Sequence, residues 1–233
     1  MGGAVFSDVE GTLIDASIPQ LALAAGLAIE LFSPWQRLQI GALELVARLV
    51  PAKVVRTVRF LALLRATAGL DEQQVKHWVN VLTPTIMRAI KPAILARIKA
   101  HQTAGLSLVL VSGGLHEGIA DLGLKLGGRG EGTKLRQRNG RYQGRLDGSI
   151  CQGVAKRERA EQVIAERGYD PAQCYGYGDT AGDIPFLQLF GYPHAVDPDA
   201  ELTAEARLRG WPIVISSQDT SIDHGDSSSE CSR

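Results

Sequence analysis

The stretch that decides the fold is residues 4–14, AVFSDVEGTLI, close to the start of the chain. Three apolar residues, Ala4–Phe6, predict a short buried strand, and Gly11 breaks the chain direction shortly after it. Two carboxylates, Asp8 and Glu10, therefore lie directly beyond the end of a strand. In an open parallel sheet, ligands bind beyond the carboxyl ends of the strands. This stretch thus predicts the first strand of a sheet and part of a functional site.

Strands and helices alternate after Pro92, which predicts an α/β fold with a Rossmann-like, doubly wound parallel sheet. Apolar runs of strand length lie at Leu106–Val111, Cys174–Tyr177, His194–Val196 and Ile213–Ile215. Helical patterns lie at Ala93–Gln102, His116–Leu126, Val154–Arg167 and Ile184–Phe190. The pair Asn139-Gly140 is the preferred two-residue hairpin turn, so a β-hairpin flap is expected from residues 135–138 and 141–146.

Residues 16–90 are almost continuously helical in pattern, and no strand is predicted among them. We expect Pro19, Pro34, Pro51 and Pro84 to divide this segment into separate helices. The segment interrupts the alternation of strands and helices, which indicates an inserted helical cap. We therefore expect a catalytic core from residues 1–15 and 91–215, a cap at 16–90, and a disordered, Ser-rich tail at 216–233.

The composition excludes several classes of protein. The 233 residues are 45% apolar and carry 25 basic and 25 acidic side chains, which argues against general attraction to nucleic acid. Three cysteines without paired spacing favour a reduced, cytoplasmic protein over a disulfide or zinc framework. We see no signal peptide and no apolar run long enough for a transmembrane segment. The sequence leaves open whether the protein is a monomer or a homodimer.

Three polar clusters follow predicted strands and are expected at one edge of the sheet. They are Asp8–Thr12, Ser112–Gly114 and Gly178–Asp183, and Lys156 lies in the first turn of the helix between the last two. Each cluster alone could be an ordinary turn or helix cap. Their order and their positions at strand ends together favour one shared site.

The chemistry of these side chains suits the transfer of a phosphoryl group. Asp8 can attack phosphorus as a nucleophile, and Glu10 can protonate the leaving alkoxide and then activate water. Asp8 and Asp179 offer hard oxygen ligands suited to Mg²⁺, the expected cofactor. Ser112 and the amides of the two glycines after it, at a helix N-terminus, suit the phosphoryl oxygens, and Lys156 can bridge nucleophile and phosphate.

At these residues the chain resembles the phosphoserine-phosphatase-like branch, subfamily IB, of the haloacid dehalogenase superfamily. The resemblance covers roughly residues 4–200 and rests on four motifs: DVEGTLI at 8–14, VSGG at 111–114, Lys156, and GDTAGD at 178–183. It implies a phosphatase that forms a phosphorylated aspartate with Mg²⁺ bound. It also implies that the Glu10 carbonyl is a third metal ligand and that Asp183 positions a metal-bound water or Lys156. Thr12 is expected behind the residues that bind metal and phosphate.

One residue departs from that family pattern. The usual acid/base residue two positions after the nucleophile is Asp, whereas this chain has Glu10, so the leaving-group pocket could be shaped differently. The segment from 16 to 90 also contains eight basic and four acidic residues, and Lys53, Arg56 and Arg59 recur at helical spacing. Apolar residues are dense between these charges. We therefore expect the cap to line a pocket for a hydrophobic or lipid-like small-molecule phosphomonoester.

The residues leave other functions open. A phosphoserine phosphatase or a phosphotransferase of the same superfamily would share the core motifs, and a dehalogenase would share the nucleophile. A non-catalytic binding protein is a further alternative, in which the basic cap binds a partner. Peripheral contact of the cap with an anionic membrane is also open.

Overall fold

The computed structural model describes residues 2–49 and 51–217, and its centre is a six-stranded sheet in which neighbouring strands are parallel. The strands are β1 (Ala4–Ser7), β2 (Ser107–Leu115), β3 (Arg129–Thr133), β6 (Tyr175–Gly178), β7 (Tyr192–Val196) and β8 (Ile213–Val214). Their order across the sheet is β3-β2-β1-β6-β7-β8. The chain winds in opposite directions on the two sides of β1, which is therefore the switch point where ligands bind in such sheets. The predicted α/β fold is confirmed.

Helices cover both faces of this sheet, as a parallel sheet requires. They are α5 (Pro92–Thr103), α6 (His116–Lys125), α7 (Gly153–Arg167), α8 (Ile184–Leu187) and α9 (Ala200–Arg209). Side chains alternate along each strand, so Val5 packs in one core cluster and Phe6 in the other. Both side chains are fully buried. The burial of β1 on both faces fixes the position of the carboxylates that follow it.

In the described part of the chain, four helices separate β1 from α5. They are α1 (Ile18–Ala28), α2 (Pro34–Ala47), α3 (Ala52–Ala66) and α4 (Glu72–Arg88). Ser33 and Asp71 begin α2 and α4 with reciprocal capping boxes to Gln36 and Gln74. The prediction that Pro84 ends a helix is wrong, since Pro84 lies inside α4. The buried face of α4 explains this, because packing there outweighs the one backbone hydrogen bond that proline removes.

The predicted hairpin is confirmed as β4 (Leu135–Arg138) and β5 (Arg141–Leu146). Asn139 and Gly140 have φ angles of 52° and 71°, the left-handed values that this two-residue turn requires. Tyr142 joins the hairpin to the turn between α3 and α4, because its backbone bonds Gly69 and Leu70 at 2.8 and 2.9 Å.

Some elements differ from the sequence-based expectations. β2 continues to Leu115, so it contains the Ser-Gly-Gly cluster that was expected after the strand, and α8 ends at Leu187. β3 and α9 were not predicted. Residues 218–233, which include Cys231 and most of the expected tail, lie outside the described residues. Among the helices that the structure describes, none is long and apolar enough to cross a membrane.

Candidate active site

The first strand delivers Asp8 to the carboxyl edge of the sheet. The Asp8 amide donates to the carbonyl of Tyr177 on the neighbouring β6 at 2.9 Å. The next turn is held by Val9 and Leu13, whose side chains are fully buried, and the Leu13 amide donates to the Val9 carbonyl at 2.9 Å. Asp8 is thereby a buried carboxylate on a short loop anchored at both ends.

Lys156, from the first turns of α7, bridges two of the carboxylates. Its Nζ lies 2.5 Å from Oδ1 of Asp8 and 2.5 Å from Oδ1 of Asp183, and all three side chains are buried. Burial opposes the lysine charge, but Asp183 and Asp8 raise the pKa of Lys156 well above its usual value. Burial also raises the pKa of Asp8, against the opposing effect of Lys156. The lysine therefore carries a fixed positive charge against the carboxylate after β1.

Asp179 lies close to Asp8 but has little positive charge near it. Thr12 Oγ1 lies 3.2 Å from Asp8 Oδ2 and 3.1 Å from Asp179 Oδ1, so one hydroxyl joins the first and last clusters. Burial, followed by the charges of Asp8 and Asp183, raises the pKa of Asp179 to about 8. This carboxylate therefore carries its charge readily only when a cation is near it.

Gly11 makes the approach of Asp179 possible. Its φ is 92°, and a Cβ atom at this position would lie 2.0 Å from Oδ2 of Asp179. A side chain at position 11 is therefore incompatible with the observed position of this carboxylate.

Asp183 is held by donors on all sides. Its Oδ2 accepts from the amides of Asp179 and Thr180 at 3.3 and 3.2 Å and from the Thr180 hydroxyl at 3.2 Å. Burial alone would raise its pKa, but Lys156 and these donors hold the pKa of Asp183 below its usual value. Asp183 is therefore an ionised group that fixes both Lys156 and the loop after β6.

The three aspartates form a group that suits a metal ion. Single oxygens of Asp8, Asp179 and Asp183 all lie within 4.8 Å of one another. Among the described residues, Lys156 is the cation that bonds to this group, and it contacts Asp8 and Asp183, so ionising all three carboxylates would leave excess negative charge in the buried site. A divalent cation with oxygen ligands offsets such charge, so the residues present fit a divalent metal ion.

The Ser-Gly-Gly cluster contributes from β2, on the other side of β1. Ser112 is buried, and its Oγ accepts from the Gly114 amide at 3.2 Å. The Gly113 carbonyl accepts from the Thr133 hydroxyl at 2.8 Å. These residues line the same pocket as the carboxylates. They lie in the strand, and α6 begins only at His116, so the expectation of glycine amides at a helix N-terminus is wrong.

Glu10 is directed toward the helical segment, away from the three aspartates. Its Oε2 accepts from the Ile18 amide at the start of α1 at 3.1 Å, and its Oε1 lies 3.7 Å from Nε of Arg56 on α3. Burial raises the pKa of Glu10, while the Ile18 bond and Arg56 act in the opposite direction. A carboxyl group with a raised pKa therefore faces the pocket that Asp8 also lines.

A pocket of about 230 Å³ connects these groups. The helical segment contributes Pro19, Arg56, Thr57 and Phe60, and the loop after β5 contributes Ile150 and Gln152. Of the basic stripe predicted from the sequence, Arg56 reaches this pocket. Arg59 instead bonds Glu44 at 2.9 Å and Gln20 at 2.9 Å, and the Lys53 side chain lies outside the described part.

Sequence reasoning missed the residues that support this site from a distance. Lys91 Nζ contacts the Gly11 carbonyl and lies 2.8 Å from Oδ2 of Asp197. The Asp199 amide donates to the Asp179 carbonyl at 3.0 Å, and Asp199 Oδ2 accepts from the Ala181 amide at 3.1 Å. The DPD sequence at 197–199 does signal a turn, by its similarity to the Asn-Pro-Asp turn of the resembled family, whereas nothing local distinguishes Lys91 from a surface lysine.

Comparison with known proteins gives one family. Residues 5–188 match the family model for haloacid dehalogenase-like hydrolases. The chain is 36% identical over 152 residues to the "inhibition of morphological differentiation protein" of Streptomyces azureus, covering 63% of this chain and 53% of that one. It is 31% identical over 160 residues to a probable phosphatase of Mycobacterium tuberculosis, covering 66% and 54%. The chain thus spans about half the length of these curated relatives.

Solved structures share the fold. A Bordetella pertussis protein of unknown function has a TM-score of 0.71 and 22% identity, and the match covers 93% of this chain and 99% of that one. A phospho-aspartyl intermediate analogue of phosphoserine phosphatase has a TM-score of 0.58 and 19% identity, with 92% and 93% covered. At these identities the likeness establishes the fold.

Proposed function

Because the chain belongs to the haloacid dehalogenase-like hydrolase family, as its sequence predicted, we propose that it hydrolyses a phosphomonoester with Mg²⁺ through a phosphorylated Asp8. The observation that carries this proposal is the grouping of Asp8, Asp179 and Asp183 within 4.8 Å of one another beside a pocket, with the buried Lys156 bonded to Asp8 and Asp183. The group combines a carboxylate nucleophile, a fixed cation and hard oxygen ligands, which together suit transfer of a phosphoryl group.

In the first step, an Asp8 oxygen forms a bond to phosphorus while the bond from phosphorus to the substrate's alcohol oxygen breaks. Lys156 holds Asp8 Oδ1 at 2.5 Å and thereby fixes the orientation of the carboxylate for attack. Ser112, Gly113 and Lys156 are the proposed contacts for the phosphoryl oxygens, because all three line the pocket beside Asp8.

Glu10 is the proposed acid and base. Its raised pKa favours a protonated carboxyl that can donate to the departing alcohol oxygen. The resulting carboxylate then takes a proton from the water that attacks the phosphorus of phospho-Asp8, which releases phosphate and regenerates both carboxyl groups. The Arg56 contact at 3.7 Å supports the ionised form between these two steps.

Asp8, Asp179 and the Glu10 carbonyl are the proposed ligands of Mg²⁺, which when bound offsets the negative charges of the carboxylates and the phosphate. Asp183 keeps Lys156 in place and is a proposed support for these ligands. Thr12 joins Asp8 to Asp179 and is proposed to set their separation.

Residues 16–90 are proposed to act as a cap that determines which substrates the pocket accepts. Pro19 and Phe60 from this segment and Ile150 from the other side give the pocket apolar surface. We therefore propose a hydrophobic or lipid-like leaving group. The pocket, at about 230 Å³, has room for the phosphate and a short apolar portion, so a longer chain would extend beyond it.

The chemistry is tested by phosphate release from p-nitrophenyl phosphate with Mg²⁺ and with EDTA. We expect EDTA and Asp8→Asn each to abolish turnover, by about a thousandfold or more for the variant. Asp15→Asn is the matched control, because Asp15 is exposed a few residues along the same loop. A fully active Asp8→Asn enzyme would refute the mechanism, and a folded but inactive wild type would favour a non-catalytic binding role.

The substrate class is tested by comparing lysophosphatidate, phosphoserine and p-nitrophenyl phosphate. Phe60→Ala should raise KM for lysophosphatidate about tenfold, because it removes apolar pocket surface. Leu61→Ala, an exposed neighbour outside this pocket, should leave KM unchanged. A clear preference for phosphoserine would contradict the hydrophobic substrate, and faster product formation with added alcohols would indicate a phosphotransferase.

A cytoplasmic location belongs to the same proposal. Cys151 and Cys174 are buried free thiols, which agrees with a reducing compartment.

A further inference from the structure

We propose that the outward face of α2 is a docking surface for an anionic phospholipid bilayer. The face consists of Trp35, Leu38, Ala42, Leu45 and Leu49, here called the outer stripe. Its residues recur at spacings of three and four, so they lie along one side of the helix and of the turn after it. The four large side chains are 66%, 63%, 61% and 82% exposed in that order, and Ala42 is also exposed.

The other side of α2 already packs against the protein. Ile40 and Ala47 are buried there, and Leu43 packs against the same core. α2 is thus apolar on two opposite faces, of which one is covered. Contiguous apolar residues of this size on a surface helix are typical of an interaction site.

The charges around the outer stripe favour an anionic occupant. Between residues 31 and 66 the sequence has six basic side chains and one acid, Glu44. Both oxygens of Glu44 are engaged by Arg59 at 2.9 Å. A second copy of the chain would bring this excess positive charge against itself with no spare acid in the segment, which is unfavourable. Lipid phosphates would instead pair with exposed cations of this segment such as Arg48, which directly precedes Leu49.

The outer stripe ends a few residues before the pocket-lining part of α3 in the chain. Leu49 is followed by α3, on which Val54 is exposed, and Arg56, Thr57 and Phe60 in the next turns line the pocket. A protein docked through the outer stripe would therefore hold its pocket entrance near the lipid headgroups. Bilayer binding does not depend on the proposed hydrolysis. The proposed function supplies only a reason for such binding, because a lipid-like phosphomonoester would be taken from the bilayer surface.

The test is co-sedimentation of the whole chain with phosphatidylcholine vesicles, with and without phosphatidylglycerol. We expect binding to the anionic vesicles that weakens as salt is added. The double variant Leu45→Gln with Leu49→Gln should lower the affinity by at least about tenfold, since it removes two side chains that enter the lipid. Arg48→Gln should lower it about fivefold, because one phosphate contact is lost.

The matched control is Leu124→Gln with Leu208→Gln. These leucines are 72% and 81% exposed on α6 and α9, away from the outer stripe, so vesicle binding should be unchanged. All of these variants should hydrolyse soluble p-nitrophenyl phosphate normally, because none of the changed residues lines the pocket. A blue shift of tryptophan fluorescence with anionic vesicles that is lost in Trp35→Phe would locate the contact.

Three results would overturn the proposal. The first is equal binding of the protein to neutral and anionic vesicles, and the second is an equal loss of vesicle affinity in the two double variants. The third is a dimer in solution that Leu45→Gln with Leu49→Gln dissociates, while neither the wild type nor this variant binds vesicles. The last result would assign the outer stripe to a second copy. Vesicle binding is scored without turnover, so this proposal and the proposed function can fail separately.

Discussion

The carboxyl edge of the sheet and the helix pair α2–α3 differ in the kind of side chain that they bury and expose. At the edge, Asp8, Lys156 and Asp183 are charged groups that are almost fully buried, and each has a partner within 2.5 Å. On α2, large apolar side chains such as Leu49 are exposed. Buried charges are tolerated only in one fixed arrangement, whereas contiguous exposed apolar surface is typical of an interaction site. The edge of the sheet therefore holds a fixed set of charged groups, whereas the helix pair presents apolar surface to solvent.

The largest expected effect comes from removing the central cation of the edge. Lys156→Met should lower turnover about a thousandfold, because Asp8 loses its positioning contact and the phosphate loses a charge. It should also destabilise the fold by about 3 kcal/mol, since Asp183 and Asp8 would be buried without a cation. Phosphate release and urea unfolding measure the two effects.

The control for that variant is Lys76→Met, which removes an exposed lysine from α4 and should change neither quantity. If Lys156→Met matched Lys76→Met in stability, the contrast between a tightly fixed edge and a permissive surface would be wrong.

Glu10 lies where the two regions meet, and its loss should separate the two chemical steps. Glu10→Ala should allow slow formation of phospho-Asp8 but slow its hydrolysis by about a hundredfold or more, because no base remains to activate water. Phosphoenzyme trapped by acid quench, followed by mass spectrometry, measures its accumulation. Rapid turnover without accumulation would assign the base to another residue.

A substitution at Gly11 tests how closely Asp179 is packed at the edge of the sheet. Gly11→Ala should lower turnover about a hundredfold and raise the Mg²⁺ concentration needed for half-maximal activity, because its Cβ would displace Asp179. Gly140→Ala is the matched control. Its φ of 71° imposes a similar backbone penalty of about 1 kcal/mol, but nothing lies within 4 Å of the added carbon. Equal activity in both variants would mean that Asp179 can move freely.

The sequence predicted what local chemistry determines. Asn139-Gly140 specified its hairpin because few residue pairs adopt two successive left-handed backbone conformations. Asp8, Asp179 and Lys156 were expected at one edge of the sheet, where the structure now places them. Tertiary packing determined the rest. β3 reads RGEGT, without an apolar pattern, because α6 packs so closely that a Cβ on Gly130 would lie 1.9 Å from the Ile119 carbonyl.

The smallest expected effect concerns the stability of the fold in acid, and it too should distinguish the sheet from the helices. His101 on α5 lies against the sheet at β6, with its Nε2 2.8 Å from the Tyr177 hydroxyl. Burial, followed by the charges of His194 and Arg97, lowers the pKa of His101 to about 4. Between about pH 6.5 and 4 the unfolded chain therefore binds a proton that the folded chain does not, so the free energy of unfolding falls as the pH falls through this range.

His101→Gln should remove this acid sensitivity, while His77→Gln, on the exposed face of α4, should retain it. The expected difference is about 1 kcal/mol at pH 5 relative to pH 7.5, after allowance for solvent screening of a partly exposed ring. Urea unfolding at the two pH values measures it. Identical pH dependence in both variants would place the acid-labile group elsewhere, and the sheet would no longer be the region whose buried groups limit stability in acid.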